Sequence, residues 1–248
     1  MPTIGSSYVP KSAMAIFAHP DDADFTVAGT IAKWAKAGCE VTLVLITSGN
    51  AGTHDPKYTR DTLARTRETE QREAARILGV KDVVFLGHND CELQPTIDVR
   101  RDLVREIRRF RPEVVICGDP QSWFFEDRYI NHPDHRAAGA AALDAVSPCA
   151  EMELLWPEVG PPHKVQAVFV AMTFFPNVWI DVTDTIDTKI LALRAHASQM
   201  GGWDPAGMIR EWGRREAERA GWASGGGTGD ASAVRYAEGF RVVWFRER

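Results

Sequence analysis

The chain has 248 residues, 44% of them hydrophobic and 25% charged, and a formal net charge of −5. This is ordinary composition for a globular protein with a sizeable core, and it excludes the disordered and fibrous classes. The basic residues are scattered or sit at helical spacing, so neither a nucleic-acid patch nor a polybasic membrane anchor is indicated. The opening MPTIGSSYVPK lacks the pattern of a secretory signal, and no apolar run approaches the roughly 18 residues of a membrane span. A cytoplasmic location is therefore expected. The four cysteines, Cys39, Cys91, Cys117 and Cys149, form no CxxC pair and read as reduced, mostly buried small hydrophobes.

Apolar and amphipathic segments alternate along the first 150 residues. A short apolar run at 12–18 is followed by helical spacing at 25–37 and a β-branched run at 40–47, which together make one βαβ unit. A helix over about 59–78 ends at Gly79, a strand follows at 82–86, then a helix at 97–110 and a strand at 113–117. Near-continuous apolar strands separated by helices predict an α/β fold: a Rossmann-like, doubly wound, mostly parallel sheet with helices on both faces. Beyond residue 150 a strand at 165–171, a helix at 184–199 and a final strand at 239–245 complete one domain spanning 1–248. The glycine-rich stretch 225–229 follows no strand and opens no clear helix, and so reads as a loop. The tryptophan-rich stretch 201–222 either covers a pocket or packs on the sheet.

Two segments carry the chemistry. AHPDD at 18–22 begins where the first strand ends, and HPDHR at 132–136 follows the loop after the strand at 113–117 and opens a helix near Pro133. Ligands in such sheets bind beyond the carboxyl ends of the strands, where strand order reverses, so both segments are expected on one rim. His19 and Asp22 are three apart, as are His132 and His135, and side chains at that spacing share a face. Two histidines and one carboxylate converging there suit zinc or another first-row divalent ion, with a coordination position left for water. Asp21, beside a ligand but pointing elsewhere, is placed to act as a general base. Either motif alone also reads as a helix cap; two at strand ends in one α/β domain point to a site.

These residues resemble the LmbE-like, or PIG-L-type, zinc-dependent N-deacetylases of N-acetylglucosamine derivatives. The resemblance covers nearly the whole chain: AHPDD, GTIA at 29–32, TSGNAGT at 47–53, LARTR at 63–67 with Glu70, ILGV at 77–80, HPDHR, and HASQ at 196–199. The tail looks most like the diacetylchitobiose deacetylase branch. The resemblance implies a hydrolase of linear amide C–N bonds, with His19, Asp22 and His135 as ligands of one zinc ion and Asp21 as the base. It further implies that His132 donates to the oxyanion and is oriented by Asp134, and that Arg67, Asp90 and His196 contact the sugar. A small-molecule amino sugar would be the substrate, with no nucleic-acid or membrane partner, and trimers or hexamers the assembly. Related readings are a zinc amidase acting on a thiol-sugar conjugate or another N-acyl glycoside, and a non-catalytic sugar-binding member of the fold. The chain departs from the family pattern at Ala23, where glutamate is common, at Cys91-Glu92, where glycine is common, and at Ile130, where some members carry tyrosine; here Tyr129 lies one place further away.

Overall fold

The computed structural model describes residues 8–222 and 234–245. Its strands are β1 (Ser12–Phe17), β2 (Glu40–Thr47), β3 (Asp82–His88), β4 (Val114–Gly118), β5 (Phe124–Phe125), β6 (Tyr129–Ile130), β7 (Ala167–Ala171), β8 (Val178–Asp181) and β9 (Ala237–Trp244). Seven of them form one sheet in the order β3-β2-β1-β4-β7-β9-β8, and β5 and β6 make a separate two-stranded hairpin. Strands β3, β2, β1, β4 and β7 pair in parallel, whereas β9 runs antiparallel to both β7 and β8. The strand order reverses between β1 and β4; the first His-Pro-Asp segment begins where β1 ends, and the second follows β4 after the β5–β6 hairpin.

The strands alternate their side chains between two cores. Ala13, Ala15 and Phe17 of β1 pack on one face with Val41, Leu43 and Leu45 of β2. Met14, Ile16 and Ala18 pack on the other with Val44 and Ile46. Period-two alternation with both faces apolar produces the continuous hydrophobic runs visible in the sequence.

The helices are α1 (Asp22–Thr26), α2 (Ala28–Lys36), α3 (Arg60–Leu78), α4 (Ile97–Phe110), α5 (Pro133–Val146), α6 (Ile186–Arg194), α7 (Ala197–Met200) and α8 (Ala206–Arg219). The single helix expected over 25–37 is two, because Val27 leaves the helical region at φ −129 and the first piece starts earlier, at Asp22. The helix expected over 184–199 likewise divides into α6 and α7. Helix α3 carries a reciprocal Thr59/Thr62 cap and ends on Gly79 at φ 78, a conformation that glycine adopts without strain. Helix α5 is rich in alanine and reaches the sheet closely: a Cβ at Gly139 would lie 2.4 Å from the Gly118 carbonyl oxygen. That close approach sets His132 and His135, at the head of α5, against the end of β1. The 225–229 loop lies outside the described residues.

Candidate metal centre and its cavity

A cavity of about 410 Å³ opens at the switch point. Its walls include His19, Asp21 and Asp22 from the turn after β1, Arg67 from α3, Asp90 from the loop after β3, and His132 and His135 from α5. Met172, Gln199 and Trp212, all from the C-terminal part of the chain, line it as well. Of the tryptophan-rich stretch, then, Trp212 reaches the cavity.

The turn after β1 is tight. The Asp22 N–H donates to the His19 carbonyl at 3.3 Å, and the His19 N–H donates to Asp22 Oδ2 at 2.9 Å. Asp21 stands at φ 89, a left-handed conformation unusual for a residue with a Cβ, and such strain concentrates at functional sites. Asp22 lies between two imidazoles: Oδ2 is 3.5 Å from His19 Nδ1 and Oδ1 is 3.0 Å from His135 Nε2. The far nitrogen of each ring is engaged elsewhere. His19 Nε2 meets Asp90 Oδ1 at 3.1 Å and Asp134 Oδ2 at 3.2 Å, and His135 Nδ1 meets Asn131 Oδ1 at 2.9 Å. Acceptors on the outer nitrogens fix both tautomers and leave the inner lone pairs directed at Asp22, which is how metal-ligating histidines are held.

Charge supports the same reading. Burial opposes protonation of His19, but Asp22, Asp134 and Asp90 outweigh it and push the pKa up to about 12. Several buried carboxylates around one imidazole thus call for positive charge at this point, and a divalent cation would supply it. Burial likewise opposes ionisation of Asp22, yet His135 and His19 hold its carboxyl well below the usual range.

Three imidazole nitrogens, from His19, His132 and His135, lie within 4.8 Å of one another. His132 nevertheless differs from the other two. It caps α5, its Nδ1 accepting the Asp134 N–H at 3.2 Å, so the neutral ring carries its proton on Nε2. Burial, His19 and His135 lower its pKa and keep it neutral. A neutral ring at the cavity wall with its proton on Nε2, which lies 3.5 Å from Cys91 Sγ, is a hydrogen-bond donor, not a lone-pair ligand.

Asp21 is shaped by opposing effects. Burial raises its pKa to about 6, against the lowering influence of Arg67. The Arg67 guanidinium donates to Asp21 Oδ2 at 3.2 Å, to the Pro20 carbonyl at 2.6 Å and to the Gly49 carbonyl at 3.0 Å. A carboxylate with a pKa near neutrality, facing a cavity, has the profile of a general base.

Several expected roles change. Asp134 does not set its carboxylate against the His132 ring: Oδ2 takes the Cys91 N–H at 2.7 Å and His19 Nε2, and only its backbone meets His132. Helix geometry explains this, since the residue two after a cap offers its N–H to that cap while its side chain points away. Arg67 lines the cavity but is 4% exposed, with its guanidinium occupied by Asp21 and two carbonyls. Asp90 also lines it; Oδ1 faces His19, and Oδ2 accepts the Ala51 N–H at 3.1 Å. His196 is 0% exposed and pairs with Asp24 Oδ2 at 3.2 Å, behind the cavity wall, so a sugar cannot reach it. From the HASQ segment it is Gln199 that reaches the cavity. Asn131 was not singled out in the sequence: it lies one place before the His132 cap of α5, outside the helix, where helical spacing gives no signal.

A buried cluster of nitrogen and carboxylate donors at the switch point of an α/β sheet defines a class: proteins able to hold a divalent cation beside a small-molecule cavity. The sequence matches the family described as GlcNAc-PI de-N-acetylase, PIG-L, over residues 14–146, and the chain belongs to that family. The diacetylchitobiose deacetylase of Thermococcus kodakarensis is 36% identical over 94% of this chain and 83% of its own. The structure of the N,N'-diacetylchitobiose deacetylase of Pyrococcus horikoshii superposes with a TM-score of 0.80 at 32% identity, covering 94% of this chain and 84% of that one. GalB, the 4-carboxy-2-hydroxymuconate hydratase of Pseudomonas putida, superposes with a TM-score of 0.76 at 25% identity, covering 96% and 98%. A hydratase among the neighbours means that the fold does not by itself fix the reaction, which must be argued from the site.

Proposed function

We propose that the chain is a metal-dependent hydrolase that removes the acetyl group from the amide nitrogen of an N-acetylglucosamine-containing sugar, of the N-acetylglucosamine or diacetylchitobiose type. The observation that carries this reading is Asp22 set between His19 Nδ1 and His135 Nε2 with both outer ring nitrogens occupied. These three residues would hold the cation, and their nitrogen and carboxylate donors suit zinc. When bound, zinc supplies a Lewis acid that polarises the acetamide carbonyl and lowers the pKa of a water toward about 7.

The chain's own residues do the rest. Asp21, held by Arg67, accepts the proton of the attacking water and returns it to the leaving amine. His132 donates Nε2–H to the oxyanion as the carbonyl becomes tetrahedral; removing one such donor typically costs roughly 10²–10³ in kcat. Asp134 and Asp90 orient His19, and Asn131 orients His135. Asp90, Gln199, Tyr129 and Trp212 offer the cavity wall to the sugar. Among the described residues beyond 150, β7, β9 and β8 complete the sheet, and Met172, Gln199 and Trp212 complete that wall. Curated relatives named as deacetylases, together with an undamaged donor set, favour this reading over a non-catalytic binder or an amidase of thiol-sugar conjugates. A cytoplasmic location and a trimeric or hexameric assembly belong to the same proposal.

The test is Asp21→Asn, which keeps the side-chain shape and removes the base. The variant should bind zinc as the parent does and lose roughly 10²–10⁴ in acetate release. Near-parental turnover by zinc-loaded Asp21→Asn would remove Asp21 from this role.

A further inference from the structure

Asp21 is held at two points, and both come from one face of α3. Arg67 takes its carboxylate, and Gln71, one helical turn further on, takes its backbone: the Asp21 N–H donates to Gln71 Oε1 at 2.8 Å. Gln71 is fully buried, and its amide has a defined direction. Nε2 donates to Asp24 Oδ2 at 2.8 Å, and the same oxygen receives His196 Nε2 at 3.2 Å. The Asp21 N–H can only donate, so the amide oxygen must face it and the amide nitrogen must face Asp24. Asp24 and His196 are both 0% exposed, which excludes them from substrate contact and leaves their pairing without a role in the chemistry described above.

We propose that Gln71 is a positioning residue for the general base: with its amide direction locked by Asp24 and His196, it holds Asp21 in the left-handed conformation that aims its carboxylate into the cavity. The backbone of Asp21, at φ 89 and ψ −24, is one a residue with a Cβ keeps only where surrounding contacts over-determine it. Gln71 is the side chain that supplies the contact at its N–H. The bonds run in a chain from His196 to Asp24 to Gln71 to Asp21, tying the head of α7 to α1 and α3 and ending on the base.

The proposal rests on Asp21 being the base, and the experiment separates the two. Gln71→Met keeps the volume and loses both hydrogen bonds. Its kcat for acetate release should fall on the order of 10²-fold, as expected for a misplaced catalytic group, while KM, bound zinc and the circular-dichroism spectrum stay near the parent's. A charge swap provides the rescue. Gln71→Glu alone sets two carboxylates against each other and should be slow. With Asp24→Asn added, the carboxylate introduced at position 71 accepts from both the Asp21 N–H and the new amide. His196 then moves its proton to Nδ1, and kcat should recover at least tenfold over Gln71→Glu. Parental kcat in folded Gln71→Met, or a double variant no faster than Gln71→Glu, overturns the positioning role. An active Asp21→Asn would overturn the base assignment instead, whatever the Gln71 variants do.

Discussion

Replacing Asn131 by alanine tests whether the histidines are held as ligands. Asn131 is 2% exposed; its Oδ1 faces His135 Nδ1 at 2.9 Å and its Nδ2 donates to the Ser122 carbonyl at 2.8 Å. Truncation leaves the His135 Nδ1–H without its acceptor, so the ring loses the bond that fixes both its rotation and its tautomer. Loss of such an outer partner typically weakens metal binding roughly 10- to 100-fold. At about 1.4 kcal/mol per decade, that corresponds to about 1.4–2.8 kcal/mol. The assay is zinc competition against a chromophoric chelator, with a thermal melt to confirm that the variant is folded. Asn131→Asp, which keeps an acceptor at the same place, should recover most of the affinity. Parental zinc affinity in folded Asn131→Ala would show that His135 Nε2 is not turned toward a cation by this bond, and the argument for the ligand set would lose its main support.

The two histidines of HPDHR should behave differently. His135→Ala should abolish stoichiometric zinc, whereas His132→Ala should retain it and lose roughly 10²–10³ in kcat; elemental analysis of the purified variants decides, and the reverse pattern would exchange their roles. Gly49→Ala should destabilise the protein and slow it together. Gly49 sits at φ 61, and a Cβ there would collide with Arg67 Nη1, so the guanidinium, whose Nη1 bonds the Gly49 carbonyl and whose Nη2 bonds Asp21, must shift. A loss exceeding about 1 kcal/mol is expected from the backbone alone, lowering Tm by at least about 2–4 °C; an unchanged melt and kcat would contradict the fit of Arg67 against this loop.

The parts of this structure legible in the sequence were those where one physical pattern dominated. The inner strands announced themselves as β-branched runs because both faces are buried, and α3 and α4 as long helical stretches, α3 closed by Gly79. Elements whose pattern is weak were missed. Strand β8 has four residues, the β5–β6 hairpin two per strand, and α8 packs its inner face with Ala206, Ile209, Gly213 and Ala217, too small and sparse to register as a hydrophobic stripe. At the site, spacing brought His19 together with Asp22 and His132 together with His135 at strand ends, while the choice of His135 as the third ligand came from the family resemblance. His196 was misplaced for a different reason: residue type and motif cannot say whether a histidine faces a cavity or lies behind its wall. That depends on Gln71 and on Asp24, the latter 172 positions away in the chain. The direction of the Asp134 carboxylate depends likewise on a contact with Cys91 that only the fold creates.

The most direct measurement is acetate and free-amine release from N-acetylglucosamine and N,N'-diacetylchitobiose, made on the protein as purified, after chelation and after zinc is restored. The account predicts release that chelation abolishes and zinc brings back, from one or both sugars. Zinc-replete protein that releases no acetate from either sugar, or release that survives full chelation, would contradict it.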